Sequence, residues 1–363
     1  MAPGGGSPRP EAGSGPSTRT VHAGLPPAVQ GEPLLPGPVL ASAYHLSGDD
    51  VHTVPGYLRE GNPTWSAYER ALGELEGGEV VLFSSGMAAA TAVLLAAEPG
   101  DVVVVPVDGY FGVRQLAEGH LAGRGVDVRL VRNEQSAVLA AAPGATMIVV
   151  ESPSNPGLEL IDIDAVRAAA PGATLVADNT VATPLGLRPL EHGATMTMAS
   201  ATKALSGHSD LLLGYVATND RMWLDRLRGW RSLTGAIAGP LETWLAHRSL
   251  ATLGVRYERQ QTNAAAVAEL LRTREEVSDV RWPGVGAVVC FTLADAATTA
   301  RFFAAGELIV EATSFGGVHT SGERRARWGT DDIAEGFVRL SVGIEDTGDV
   351  LAAVAGALDA AAR

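Results

Sequence analysis

The sequence predicts an α/β fold, with a mostly parallel sheet flanked by helices and a smaller C-terminal α+β unit. Three observations carry that prediction. Between residues 79 and 199, short unbroken apolar runs rich in valine recur, separated by stretches of helix formers. Strands without polar alternation are buried on both faces, the condition of a parallel sheet covered by helices. Beyond about residue 229 this alternation gives way to a long helical stretch and then isolated strands. The 363 residues are 46% hydrophobic and 19% charged, enough apolar material for two buried cores.

Taken in order, residues 1–19 (MAPGGGSPRPEAGSGPSTR) are rich in Gly, Pro and Ser, lack the apolar centre of a signal peptide, and are expected to form a disordered tail. Residues 20–56 include GLPPAVQGEPLLPGP and read as an extended arm, a kind of segment that often reaches another subunit. Residues 57–228 form the large unit. Its first strand is EVVLF, followed by the helix SSGMAAATAVLLAA, which stops at Pro99 and Gly100. DVVVVPV, VDVRLV, TMIVVES, TLVADN and ATMTMAS are the strands that follow. Residues 229–363 form the smaller unit: one long helix over GPLETWLAHRSLATLGVRYERQQTNAAAVAELLRTR, strands at AVVCFTL and FVRLSVG, and a closing helix from about Asp346.

Charge and cysteine content narrow the function. A formal net charge of −14 argues against a broad nucleic-acid surface, yet leaves room for a local basic pocket for one phosphate. The lone Cys290 has no partner for an internal disulfide, which fits a reducing, cytoplasmic setting. No apolar run reaches the roughly 18 residues of a membrane span. Neither G-x-G-x-x-G after the first strand nor a P-loop lysine motif is present, which argues against a nucleotide-binding protein.

Ligands of parallel sheets bind beyond the carboxyl ends of the strands, where SSGM, PVDGY, ESPSNP, DNT and SATK fall. In FSSGMAA, two serines and a glycine at a strand-to-helix turn form either a plain turn or a phosphate cradle. Asp178 either caps the next turn or pairs with a buried cation. Tyr110 is a packing aromatic or a stacking face, and Arg339 in FVRLSVG faces water or grips a carboxylate. Lys203 stands apart from other charges, between Glu191 and Asp210, among the hydroxyls of SATK. A phosphate cradle, an amine, a buried carboxylate, an aromatic face and an arginine together make up what pyridoxal 5′-phosphate chemistry requires.

YLREGNPT, FSSGMAA, ESPSNPGLELIDI, DNTVATPLGLRPLEHGA, SATKALSGHSDLLLG and VRLSVGIED occur in order. With these motifs the chain resembles, from about residue 20 to its end, the Cys/Met-metabolism family of pyridoxal-phosphate enzymes: the cystathionine γ-synthases, γ-lyases and β-lyases and the methionine γ-lyases. The resemblance implies the aspartate-aminotransferase-like fold (fold type I) and a homotetramer, a dimer of dimers with active sites shared between subunits. It implies that Lys203 forms the Schiff base with the cofactor and Asp178 partners the pyridine nitrogen. Tyr110 corresponds to the tyrosine stacked on the ring. Gly86 and Met87, with the hydroxyls of Ser200 and Thr202, correspond to the phosphate cradle, and Tyr57 and Arg59 to the pair a neighbouring subunit adds to it. Arg339 corresponds to the arginine that grips the substrate α-carboxylate, and Asn155 and Ser314 lie beside cofactor or substrate.

The implied activity is that of a lyase performing α,γ-elimination on a sulfur amino acid or related γ-substituted amino acid, releasing a 2-oxo acid and ammonia. Lys203 is its base and Tyr110 the proton donor to the leaving group. The same machinery supports γ-replacement, as in a γ-synthase, or β-elimination. Several positions depart from the family pattern: Gly56 before Tyr57, Thr313 where a glutamate is typical, Gln115 beside Arg114, and Ala199 for a histidine. The stretch between SFGGVHT and VRLSVG is also short. These changes are expected to remove polar handles for the far end of a long substrate such as cystathionine.

Overall fold

The computed structural model describes residues 14–46 and 56–363. Its large sheet contains β1 (Glu79–Phe83), β2 (Val102–Pro106), β3 (Asp127–Val131), β4 (Met147–Glu151), β5 (Thr174–Asp178), β6 (Met196–Ala199) and β7 (Gly214–Thr218). Their spatial order is β1-β7-β6-β5-β4-β2-β3. The pairs from β3 through β2, β4 and β5 to β6 are parallel, whereas β7 runs antiparallel to both β6 and β1. The sheet is therefore mixed at one edge. β7 follows the polar SATKALSGHSD turn too closely for a crossover helix, so the chain returns antiparallel.

Helices cover both faces. Helix Gly86–Leu94 and helix Arg221–Thr234 pack on one face against Val81, Phe83, Val176 and Val216. On the other, helix Pro63–Glu76 buries Trp65, Tyr68, Leu72 and Leu75 against Leu82 and Tyr215. That helix is well specified locally. Asn62 caps it by accepting the Thr64 N–H at 2.8 Å, Pro63 stands in its first turn, and Gly77 ends it in the left-handed conformation at φ +80°. Each fully buried large apolar side chain contributes about 1.5–3 kcal/mol.

The second sheet has β8 (Ser278–Arg281), β9 (Val288–Thr292), β10 (Val310–Glu311), β11 (Ser321–Arg324) and β12 (Phe337–Ser341), in the order β10-β11-β12-β9-β8. Its core joins Val289, Phe291, Val338 and Leu340 to Phe302, Val350 and Val354. The long helix expected before it is two helices, Pro240–Leu250 and Leu253–Arg272. The break falls where the Ser249 carbonyl accepts from Thr252 N–H, the Thr252 hydroxyl and Arg256 instead of continuing the helical ladder. Helix Arg221–Thr234 crosses position 228 and buries Trp223, Leu224 and Leu227 in the large core.

The N-terminal segment also differs from expectation. Of the expected tail, residues 1–13 lie outside the described residues. Residues Pro16–His22 form a helix with Thr20 buried, fixed by packing on Gly254, where a Cβ would lie 2.5 Å from Ser17 Oγ. The arm that follows is tied down at several points. His247 Nε2 bonds the Ala23 carbonyl at 3.1 Å, Trp244 Nε1 donates to the Pro36 carbonyl at 2.9 Å, and Ala43 bridges Tyr57. Residues 47–55 of the arm lie outside the described residues.

Candidate active site

Strands β2, β4, β5 and β6 are parallel, and β1 shares their direction, so their carboxyl ends open on one side of the sheet. There a cavity of about 620 Å³ lies between the large sheet and the second one. Gly86 and Met87 follow β1, Tyr110 follows β2, Asn155 follows β4, and Asp178 ends β5. Ser200, Thr202 and Lys203 follow β6; Ser314 and Arg339 come from the smaller unit. All ten line this one cavity. Tyr57 and Arg59 do not: Arg59 donates to the Ser232 carbonyl at 2.9 Å and lies over the half-exposed Tyr57 ring.

The amine is Lys203 Nζ, which donates to Ser314 Oγ at 2.7 Å and lies 5.2 Å from the centre of the Phe315 ring. Burial, helped by the Arg339 charge and opposed by Glu323, lowers its pKa to about 8. Ser314 takes φ +79°, a conformation costly for any residue but glycine. From there its hydroxyl holds Lys203 while its carbonyl accepts from Arg339 Nη2 at 3.1 Å. Arg339 also donates through Nη1 to Asn155 Oδ1 at 2.5 Å, and it is 4% exposed.

Asp178 lies in register with Glu151 on the neighbouring strand, both at the strand ends. Burial raises the Asp178 pKa, against hydrogen bonds from Thr180 that lower it. Glu151 is raised well above the carboxylate range by burial and then by Asp178, and it accepts the Tyr110 N–H at 2.8 Å. Burial likewise raises the Tyr110 phenol, which stays protonated at neutral pH.

At the start of helix Gly86–Leu94, Ser85 accepts from Ala88 N–H with its side chain and from Ala89 N–H with its carbonyl. The amides of Gly86 and Met87 are left as the donors of the first turn. Gly86 is required by close approach, since a Cβ there would lie 2.8 Å from Ser200 Cβ. The Ser200 hydroxyl has no hydrogen bond among the described residues, whereas Thr202 Oγ1 exchanges bonds with the Leu213 backbone at 3.0 and 3.1 Å.

A family model described as Cys/Met metabolism PLP-dependent enzyme matches residues 17–359. The chain belongs to that family. A Streptomyces coelicolor protein with the provisional name cystathionine gamma-lyase is 47% identical, over 98% of this chain and 96% of its own. The L-methionine gamma-lyase of Brevibacterium sandarakinum is 37% identical, over 88% and 86%. The crystal structure of apo CalE6, a methionine gamma lyase from Micromonospora echinospora, superposes with a TM-score of 0.89 at 33% identity, covering 95% of this chain and 99% of that one.

The chain is thus a pyridoxal-phosphate-dependent enzyme of Cys/Met metabolism, and its cavity fits that cofactor on the structure's own terms. It brings together two first-turn amides with a serine hydroxyl free among the described residues, a half-buried carboxylate suited to a ring nitrogen, and a lysine whose environment shifts it toward the free amine. Lys203 is also the single lysine in the chain.

The motifs did not single out Glu151, Phe315, Glu323, Arg325 or Trp328. Glu151 was inside a quoted motif, at the end of a predicted strand. The others lie in or near the segment expected to remove polar handles. Instead, Arg325, Trp328 and Thr330 line the cavity. Arg114 does not reach the ligand space: it donates to the Val107 and Thr330 carbonyls, tying the Tyr110 loop to that segment.

Proposed function

We propose that this enzyme performs α,γ-elimination on a sulfur amino acid or a close γ-substituted analogue, with Lys203 holding the cofactor covalently. The observation that carries this reading is the placement of Lys203 Nζ, with its lowered pKa, on the Ser314 hydroxyl in the cavity that Tyr110, Asp178 and Arg339 also line. When bound, the cofactor supplies an aldehyde that takes up amino groups and a ring that accepts the electron pair left at Cα. Asp178 then keeps the ring nitrogen protonated. The Gly86 and Met87 amides and the Ser200 hydroxyl hold the phosphate, with Thr202 lending its hydroxyl.

Arg339 binds the α-carboxylate as a fork, a task for which lysine is a poor substitute. Asn155 and Ser314 fix the plane of that fork. Lys203 Nζ, once free, removes the Cα proton and then moves protons at Cβ, and the Tyr110 hydroxyl gives its proton to the leaving sulfur. The names of the two relatives given above support γ-elimination, while other relatives are named cystathionine beta-lyase and cystathionine gamma-synthase. Tyr57 and Arg59 lie outside their own chain's cavity, which supports a homotetramer in which a neighbour completes each phosphate site. Cys290 is buried and free, and among the described residues no helix is long and apolar enough to cross a membrane; we place the enzyme in the cytoplasm.

The test is product identity by mass spectrometry, with cystathionine, methionine, homocysteine and an O-acyl homoserine supplied separately. A 2-oxo acid of four carbons is expected from at least one of them. Pyruvate as the main product, or a thioether formed from the ester and added thiol, would replace the reading with β-elimination or γ-replacement.

A further inference from the structure

Beside Arg339 lies a buried group of charges that the reaction described above does not use. The β11–β12 register sets Glu323 directly across from Arg339, and the two are 2% and 4% exposed. Glu323 Oε1 accepts from Arg339 Nη2 and, at 3.1 Å, from Arg325 Nη1, while Oε2 accepts from Trp328 Nε1 at 2.8 Å. Arg325 is paired through Nη2 with the buried Asp331. Two guanidinium groups and two carboxylates thus form one buried, neutral set.

Opposed in register, a glutamate and an arginine tend toward a two-bond fork, the strongest form of the pair. Such a fork would fill the edge of Arg339 that a substrate carboxylate needs. Here Glu323 touches Arg339 through one oxygen and one nitrogen only. Arg325 shares that oxygen, and Trp328 holds the other. The second terminal nitrogen of Arg339 bonds Asn155 instead.

We propose that Glu323 is a positioning residue for Arg339, and that Arg325 and Trp328 keep Glu323 from taking the substrate carboxylate's place. The inference rests on reading Arg339 as the grip on the α-carboxylate. Glu323 orients one edge of the guanidinium, and its remaining capacity is spent on Arg325 and Trp328; Arg339 Nε is then without a hydrogen-bond partner among the described residues and is left for a ligand.

Glycine is a suitable probe, because it carries the α-carboxylate and amine but no leaving group. Its affinity for the cofactor-loaded enzyme would be measured by calorimetry. Arg325→Met is expected to weaken glycine binding about tenfold, since Glu323 Oε1, no longer shared with Arg325, draws the Arg339 guanidinium to itself and off the substrate carboxylate, and to raise KM more than it lowers kcat. Adding Glu323→Gln to Arg325→Met is expected to restore about threefold of that affinity, an interaction of opposite sign to accumulated damage. Should Arg325→Met fail to fold, Trp328→Phe at the cavity mouth should act in the same direction by about threefold and be relieved by the same Glu323→Gln. Parent-like binding by the single variants, or a double variant weaker than either single one, would overturn the inference. The underlying reading fails separately, if Arg339→Lys leaves glycine affinity unchanged.

Discussion

At neutral pH an ordinary lysine is almost wholly ammonium, which is neither nucleophile nor base. Lys203, with a pKa lowered to about 8 chiefly by burial, keeps about a tenth of its side chain as free amine at pH 7. In the cofactor-free protein, labelling by an amine-directed reagent should therefore rise with pH around a midpoint near 8. As the only lysine, Lys203 is read without interference in a peptide mass map, and a midpoint above 10 would contradict the proposed activation. Lys203→Ala should abolish turnover of the loaded enzyme while leaving the circular dichroism spectrum unchanged. The site residues of the large sheet around it were legible because they end or follow strands whose apolar runs mark where those strands stop. Glu323 and Arg325 were not. Their importance depends on which β11 residue faces Arg339, and a four-residue strand in a charged stretch carries no periodic signal for that register.

Between elements, the least comfortable contact joins helix Pro63–Glu76 to β7. The last residue of that helix, Glu76, is fully buried and accepts from the Tyr215 hydroxyl, while its second oxygen has no hydrogen-bond partner among the described residues. Burial raises its pKa from 4.5 to about 7, more than the Tyr215 bond and Arg188 lower it. The folded state therefore binds a proton that the unfolded chain has released, and stability falls as pH rises from about 4.5 through about 7. Glu76→Gln keeps an acceptor for Tyr215 without the charge. At pH 8 it should be more stable than the parent, by at most on the order of 3 kcal/mol, in urea melts. A gap that does not shrink between pH 8 and pH 5 would count against this account. Most strands were legible from their apolar runs. β7 was hidden behind the Lys203 motif, and the helix break at residues 251–252 comes from side chains competing for one carbonyl, which residue propensities do not register.

For the whole molecule, the open matter is what Tyr57 and Arg59 do when their own chain's cavity lies elsewhere. The arm before them is fastened to the helices Pro63–Glu76 and Pro240–Leu250, by Asn62 donating to the Val39 carbonyl at 2.9 Å and by Trp244 donating to Pro36. Both residues are therefore presented at the surface from a fixed base. If a neighbour's cavity receives them, as proposed, a chain lacking Lys203 and a chain lacking Arg59 are defective in different halves of a shared site. Arg59→Ala alone should weaken cofactor retention, measured by equilibrium dialysis. After Lys203→Ala and Arg59→Ala chains are unfolded together and refolded, half of the pairs are mixed. Each mixed pair has one intact site and one doubly defective site, so activity should recover to about a quarter of the parent's. Recovery no greater than the sum of the separately refolded variants would mean that each chain completes its own site, and Tyr57 and Arg59 would lose the role assigned to them.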